Sequence, residues 1–215
     1  RKLRFEVDER ASSEGKILKK INTKHLDKII LVCKKNKVQS IAIQFLHSFQ
    51  TTINEKKCAK YLSKKMPNVS ITTSSDITRE WREFERANTA VLNAYIQPIV
   101  LKYFNNLENK LNSKGIKCNF TAMQSNGGTT SFDWAKKHPI TLVESGPAAG
   151  VNGAVLVGNL SNKKNIIYFD VGGTTTKCAL IKDGIPSVTS EYKLEWDKFN
   201  PGYPIRVPVT DLVEI

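Results

Sequence analysis

Apolar residues along the first hundred positions alternate between two rhythms. Thr23 to Asn36 places Leu26, Ile29, Ile30 and Cys33 at helical i, i+3, i+4, i+7 spacing, which predicts an amphipathic helix. Val38 to Phe45 is a short, β-branched, largely apolar run of the kind found in a buried parallel strand. Asn54 to Lys65 returns to the helical rhythm, with Cys58, Tyr61 and Leu62 on one face. Pro67 and Asn68 stop it, and Val69 to Ser74 predicts another strand. Arg1 to Glu9 reads as a strand end and turn. Strands alternating with helices predict an α/β layer structure.

The pattern then lengthens. Glu80 to Tyr95 passes from charged to apolar, and Pro98 to Asn112 continues at helical spacing, with Pro98 either kinking the path or opening a new helix. This helix pair suggests a division of the chain into residues 1–95 and 96–215. Cys118 to Gln124 reads as a strand, and Ser125-Asn126-Gly127-Gly128 as a tight turn. Ser131 to Lys137 reads as a short helix with a Ser cap, and Thr141 to Val143 as a brief extended piece. Ser145-Gly146-Pro147-Ala148-Ala149-Gly150 opens a further helix. Ile166 to Asp170 and Lys177 to Ile181 are strands around a Gly-Thr turn, and Asp183-Gly184 predicts a hairpin to Ile185–Val188.

Composition changes this picture little. The apolar fraction of 40% and charged fraction of 25% are those of an ordinary globular chain of 215 residues, which excludes wholesale disorder. No apolar run reaches the ~20 residues of a membrane helix, so no membrane is expected. The net charge of +13 arises mostly from lysines scattered in pairs, such as Lys34-Lys35 and Lys64-Lys65. Arg carries most bidentate base and phosphate recognition, so the surplus reads as a solvated surface, and no nucleic-acid partner is expected. Cys33, Cys58, Cys118 and Cys178 lack zinc-ligand spacing and read as the buried thiols of a cytoplasmic protein.

The candidate chemistry is concentrated in Ile166–Ile181. An apolar strand ends in the carboxylate of Asp170, turns through Gly172, Gly173, Thr174 and Thr175, and returns as a second strand. Glycines let successive backbone N–H groups converge on phosphate oxygens, and the threonine hydroxyls add donors. A strand-end carboxylate can orient water or hold Mg²⁺ through water. Neither GxxxxGK[ST] nor GxGxxG is present, and a plain hairpin with a glycine-rich turn is the alternative. Ser145 and Gly146 offer a helix N-terminus suited either to an anion or to close helix packing. The Asn126-Gly127-Gly128 turn is a weaker version of the same idea. The charged run Arg79, Glu80, Arg82, Glu83, Glu85, Arg86 has the spacing of a solvated helix face.

The strand–DVGGTTT–strand element resembles the phosphate loops of the actin/hexokinase/Hsp70 ATPase superfamily. Three further segments, QFLHSFQTTINEKKCAKYL, REWREFERANTAVLNAYIQP and MQSNGGTTSFDWAKKHPITLVESGPAAGVNGA, resemble A-type subunits of the hydantoinase/oxoprolinase family. The resemblance implies ribonuclease-H-like α/β lobes with mixed sheets and packed helices. Here they would be incomplete, with the end of the first lobe in 1–95 and the start of the second in 96–215.

The same resemblance implies use of ATP with Mg²⁺ to open a cyclic amide of hydantoin or 5-oxoproline type, alongside a B-type subunit. Asp170 would be catalytic and would meet the metal through water. Gly172, Gly173, Thr174, Thr175, Ser145, Gly146, Asn126, Gly127 and Gly128 would bind nucleotide. Arg82, Glu85 and Arg86 match the family's R-E-x-E-R helix without acquiring a role. Two departures stand out: Lys177 occupies a place the family usually gives to Asp, and the first-lobe DxGGTxTD loop is not found in these 215 residues. An internal fragment of a larger enzyme, inactive alone, is the expectation. Alternatives are an acetone-carboxylase-like subunit, a small-molecule kinase of the superfamily and a non-catalytic binding module.

Overall fold

The computed structural model describes residues 3–173, 175–195 and 199–214. It divides into two compact units, residues 1–103 with 193–206 and residues 104–192 with 207–215.

In the first unit, β1 (Arg10–Ala11) and β2 (Ile17–Lys19) pair antiparallel. They are followed by α1 (Thr23–Lys35), β3 (Ser40–Ile43), α2 (Ile53–Lys65), β4 (Ser70–Thr73) and the single turn α3 (Ser74–Ile77). Asn22 caps α1 by accepting the Lys24 N–H at 3.1 Å, which satisfies one orphan donor of the first turn. Strands β3 and β4 run parallel, from Ser40 opposite Ser70 to Ile43 opposite Thr73, with α2 as the crossover. The four apolar positions read from α1 are all buried, packed with Ile43, Cys58, Leu62 and Met66. No strand occurs among the described residues before Arg10, so the expected strand end there is not found.

Helix α4 (Glu83–Ser113) runs uninterrupted through Pro98, which neither starts a helix nor ends one. A helix-interior proline costs roughly 3 kcal/mol; the buried Arg86, Thr89, Ala90, Asn93 and Ala94 on the turns before it hold the helix nonetheless.

The second unit begins with the antiparallel pair β5 (Thr121–Met123) and β6 (Thr129–Ser131) around the Ser125–Gly128 turn. Helix α5 (Phe132–Lys137) starts at a Ser131 cap that accepts the Trp134 N–H at 3.3 Å, as its sequence predicts. Pro139–Leu142 forms a 3₁₀ turn where an extended piece was expected at Thr141. Proline presets the helical φ, and both the amide and hydroxyl of Thr141 donate back to the His138 carbonyl. Helix α6 (Ser145–Leu160) packs on the sheet of β7 (Ile166–Val171) and β8 (Thr176–Lys182). The small strands β9 (Ile185–Pro186) and β10 (Val188–Thr189) follow; β11 (Tyr192–Leu194) pairs with β12 (Tyr203–Ile205) in the stretch of chain that from Lys193 belongs to the first unit. Strand β13 (Val209–Thr210) pairs with β10, and β14 (Val213–Glu214) with β8. Val151 of α6 and Ala179 and Ile181 of β8 form the buried centre.

Candidate functional site

The β7–β8 hairpin carries the glycine-rich loop. Its antiparallel register sets Asp170 opposite Lys177 and Val171 opposite Thr176, and the Gly172 N–H closes the turn onto the Thr175 carbonyl at 3.0 Å. Asp170, Gly172 and Gly173 are exposed, Thr175 is half-buried, and Thr174 lies outside the described residues. A methyl group at Gly173 would meet nothing within 4 Å, so the loop's outer side is open to a ligand.

Alternation along the strand puts Tyr168 and Asp170 on the face towards α6. The Tyr168 hydroxyl donates to Asp170 Oδ2 at 3.2 Å. Burial first, then the Asp170 charge and that hydrogen bond, raise the Tyr168 pKa and keep the donor protonated. Gly150 makes the arrangement possible, since a Cβ there would overlap the phenolic oxygen of Tyr168.

Helix α6 brings the other expected residues beside this hairpin. Glu144 precedes it in a left-handed conformation, φ +58°, and its side chain does not cap the helix. Instead it accepts from Lys177 Nζ at 2.5 Å, with Glu214 3.6 Å from the same ammonium. Tyr192 donates to the other Glu144 oxygen at 3.4 Å. Burial, then the Glu144 and Glu214 charges, raise the Tyr192 pKa. Ser145 and Gly146 form the first turn of α6, where backbone N–H groups lack helical acceptors. Further along, Asn152 donates to the Gly127 carbonyl at 2.6 Å and fastens the Asn126-Gly127-Gly128 turn to the helix. Within the turn the Gly128 N–H donates to Asn126 Oδ1 at 2.9 Å, and Gly127 has φ +81°, which suits glycine. The buried Ser125 anchors its base, donating to the Thr141 carbonyl at 2.7 Å and accepting from the Thr210 N–H.

Three of the segments singled out in the sequence therefore meet around one helix. Glu144, Asn152 and Tyr192 connect them and carry no local sequence signal, because their partners lie 25 to 48 positions away. A separate hollow at the β8–β9 end of the hairpin is lined by Ile167, Leu180 and Ile185 together with Asn165, Lys182 and Asp183.

Among the described residues no cluster of three His, Cys, Asp or Glu side chains could hold a metal ion. Mg²⁺ is commonly held by one or two carboxylates together with nucleotide phosphates. The single exposed carboxylate of Asp170 fits that mode and no all-protein cage.

The charged run of the first unit behaves differently from its expectation. Arg86 is fully buried. It donates to Ser74 Oγ at 3.1 Å, the Glu80 carbonyl at 2.8 Å, the Phe45 carbonyl at 3.0 Å and Glu83 Oε2 at 2.5 Å. The equally buried Glu55 accepts from Phe45 N–H, Ser74 Oγ and Ser75 N–H at 2.6–3.1 Å. This network ties the segment just after β3 to α2, α3 and α4, so the R-E-x-E-R segment is an internal fastening within the unit. Arg82 and Glu85, 3.3 Å apart, form a more exposed ion pair of the run.

The α/β fold is shared with two solved structures, which show the fold alone. An ATP-dependent caprolactamase from Pseudomonas jessenii superposes with a TM-score of 0.84 at 23% identity, over 97% of this chain and 29% of its own. The nucleotide-free structure of an acetone carboxylase, described for ATP-dependent acetone carboxylation, superposes with a TM-score of 0.80 at 24% identity over the same shares. The shared fold is a mixed α/β one. The chain belongs to the hydantoinase/oxoprolinase family: the hydantoinase/oxoprolinase model matches residues 86–215, and the model of its N-terminal region matches residues 1–66. An uncharacterized protein of Methanocaldococcus jannaschii is 37% identical over 100% of this chain and 32% of its own length. The alpha subunit of the Pseudomonas jessenii caprolactamase is 25% identical over 86% of the chain and 26% of its own length. The chain thus spans a third or less of the length of the curated relatives it matches.

Proposed function

We propose that this chain is part of an ATP-dependent enzyme that activates and opens a cyclic amide of the hydantoin, 5-oxoproline or lactam type. The observation that carries the reading is the convergence of the β7–β8 loop, the first turn of α6 and the Ser125–Gly128 turn in a unit of this family. The β7–β8 loop is exposed at Gly172 and Gly173, and the first turn of α6 carries N–H groups without helical acceptors. In the reading, Gly172, Gly173, Thr174 and Thr175 hold phosphate, Ser145 and Gly146 offer helix N–H groups, and Asn126, Gly127 and Gly128 complete the nucleotide contacts. Asp170 orients the attacking water and meets Mg²⁺ through water.

ATP supplies a phosphoryl group to the amide oxygen, which turns a poor electrophile into a good one. The chain's own contribution is electrostatic and positional: converging N–H groups stabilise charge on the phosphate oxygens, and Asp170 aligns water. Water cleavage of the activated bond then gives ADP, phosphate and the opened amino acid. The family's other phosphate loop is not among these 215 residues, so turnover is assigned to the longer polypeptide, in the cytoplasm and with a B-type subunit.

The test is ATP-dependent ring opening of hydantoin, 5-oxoproline and caprolactam by the longer protein. Asp170→Ala is expected to lower turnover by about 10²–10⁴, the range of a positioned acid–base group. Unchanged turnover in that variant would overturn the role of Asp170. The likeness to acetone carboxylase supports a second reading, in which bicarbonate-dependent carboxylation of a ketone replaces ring opening. A phosphorylated product that accumulates without ring opening or carboxylation would instead show a small-molecule kinase.

A further inference from the structure

Asp170 and Lys177 occupy directly opposed positions on β7 and β8, so their side chains leave the sheet on the same face. Opposite charges so placed ordinarily pair across the strands. Here the ammonium of Lys177 turns to Glu144 and Glu214, and the carboxylate of Asp170 accepts from Tyr168. No ion pair joins Asp170 to Lys177 among the described residues.

We propose that Glu144 and Tyr168 are positioning residues that hold Lys177 and Asp170 apart, leaving the Asp170 carboxylate unneutralised beside the phosphate loop. This rests on the role given to Asp170 above. A carboxylate bound to an ammonium neither draws a proton from water nor attracts a cation effectively, so a lysine opposite Asp170 would disable it unless diverted. Glu144 provides the diversion from the α6 side: one carboxylate oxygen accepts from the ammonium and the other from Tyr192. Tyr168 acts from the other side. Its hydroxyl takes Asp170 Oδ2 as acceptor, and contact with Gly150 under the ring restricts where that hydroxyl can move. Lys177 thus comes with its own counter-ion, supplied by the residue that precedes α6.

Glu144→Gly tests this while suiting the left-handed backbone at that position. In a crystal structure of the 215-residue variant, the released Lys177 ammonium is expected within hydrogen-bond distance of Asp170. In the longer protein the same change is expected to reduce ATP-dependent turnover by about tenfold or more, and adding Lys177→Gln to restore it to within about threefold of the parent. A merely structural role for Glu144 would not be rescued by the second substitution. Lys177 remaining away from Asp170 in the variant, or a double variant no more active than the single one, would overturn the proposal. Should the glycine variant not fold, Glu144→Gln carries both arms. If Asp170→Ala leaves turnover intact, the functional reading falls and the crystallographic arm alone decides where Lys177 goes.

Discussion

Asn152 reaches from the second turn of α6 to the carbonyl of Gly127, 2.6 Å away, and this bond is what fixes the Ser125–Gly128 turn relative to the helix that also carries Ser145 and Gly146. The contact is exposed on the Asn152 side, so its net worth is modest. Asn152→Ala is expected to lower stability by about 0.5–1 kcal/mol in urea unfolding. Nucleotide affinity of the longer protein, followed by calorimetry, is expected to fall with it. A loss of stability with unaltered affinity would remove the turn from the nucleotide contacts.

Gly150 and Gly146 lie in one helix and predict opposite outcomes. A methyl group at Gly150 runs into the Tyr168 ring, whereas one at Gly146 meets nothing within 4 Å. Gly150→Ala is expected to destabilise by about 1–3 kcal/mol, the usual cost of overpacking. Gly146→Ala is expected to be neutral or to stabilise by up to about 1 kcal/mol through helix propensity. Thermal melts of the two variants side by side decide the matter, and equal melting temperatures would contradict the packing of α6 on β7.

Arg86 is held by four hydrogen bonds in a buried setting, so its removal takes a donor from Ser74, Glu83 and the Glu80 and Phe45 carbonyls at once. Arg86→Met is expected to cost about 3–5 kcal/mol. Arg86→Lys is expected to recover little of this, since an ammonium cannot span the forked set of acceptors. The urea midpoint of the first unit's unfolding checks both. A lysine variant as stable as the parent would show the charge alone to be sufficient.

The thiols separate clearly. Cys33 and Cys58 are buried and Cys118 is exposed. Burial first, and then the Glu55 and Glu9 charges, push the Cys58 pKa up to about 12, so almost none of it is thiolate at neutral pH. With an aromatic disulfide reagent at pH 8, Cys118 is expected to react in the native protein, and Cys33 and Cys58 only after denaturant is added. Rapid native reaction of Cys58 would show that α2 opens readily.

Much of the local structure was legible because it depends on local signals. The α1 stripe Leu26, Ile29, Ile30 and Cys33, the parallel character of β3, the Ser131 cap and the Asp183-Gly184 turn all follow from spacing or turn chemistry within a few residues. Of the two paths open at Pro98, a new helix is not the one taken, because the buried turns before it carry α4 through; and the extended piece expected at Thr141–Val143 gives way to a 3₁₀ turn because Thr141 folds back on His138. Arg86 was misplaced for a related reason: a run of alternating charges looks solvated unless Phe45 and Ser74, distant in sequence, are known to meet it. At the site, the loop glycines could be read directly, whereas the links through Glu144, Asn152 and Tyr192 depend on the packing of α6.

Helix α4 has a consequence of its own. Pro98 presents no N–H to the carbonyl of Ala94, so the hydrogen-bond ladder of this 31-residue helix lacks a rung. Cooperative opening travels along such a ladder one amide at a time, and a missing rung is where it can stop. The turns from Glu83 to Asn93 and those after Pro98 can therefore exchange their amide hydrogens as two separate populations, although α4 is continuous in space.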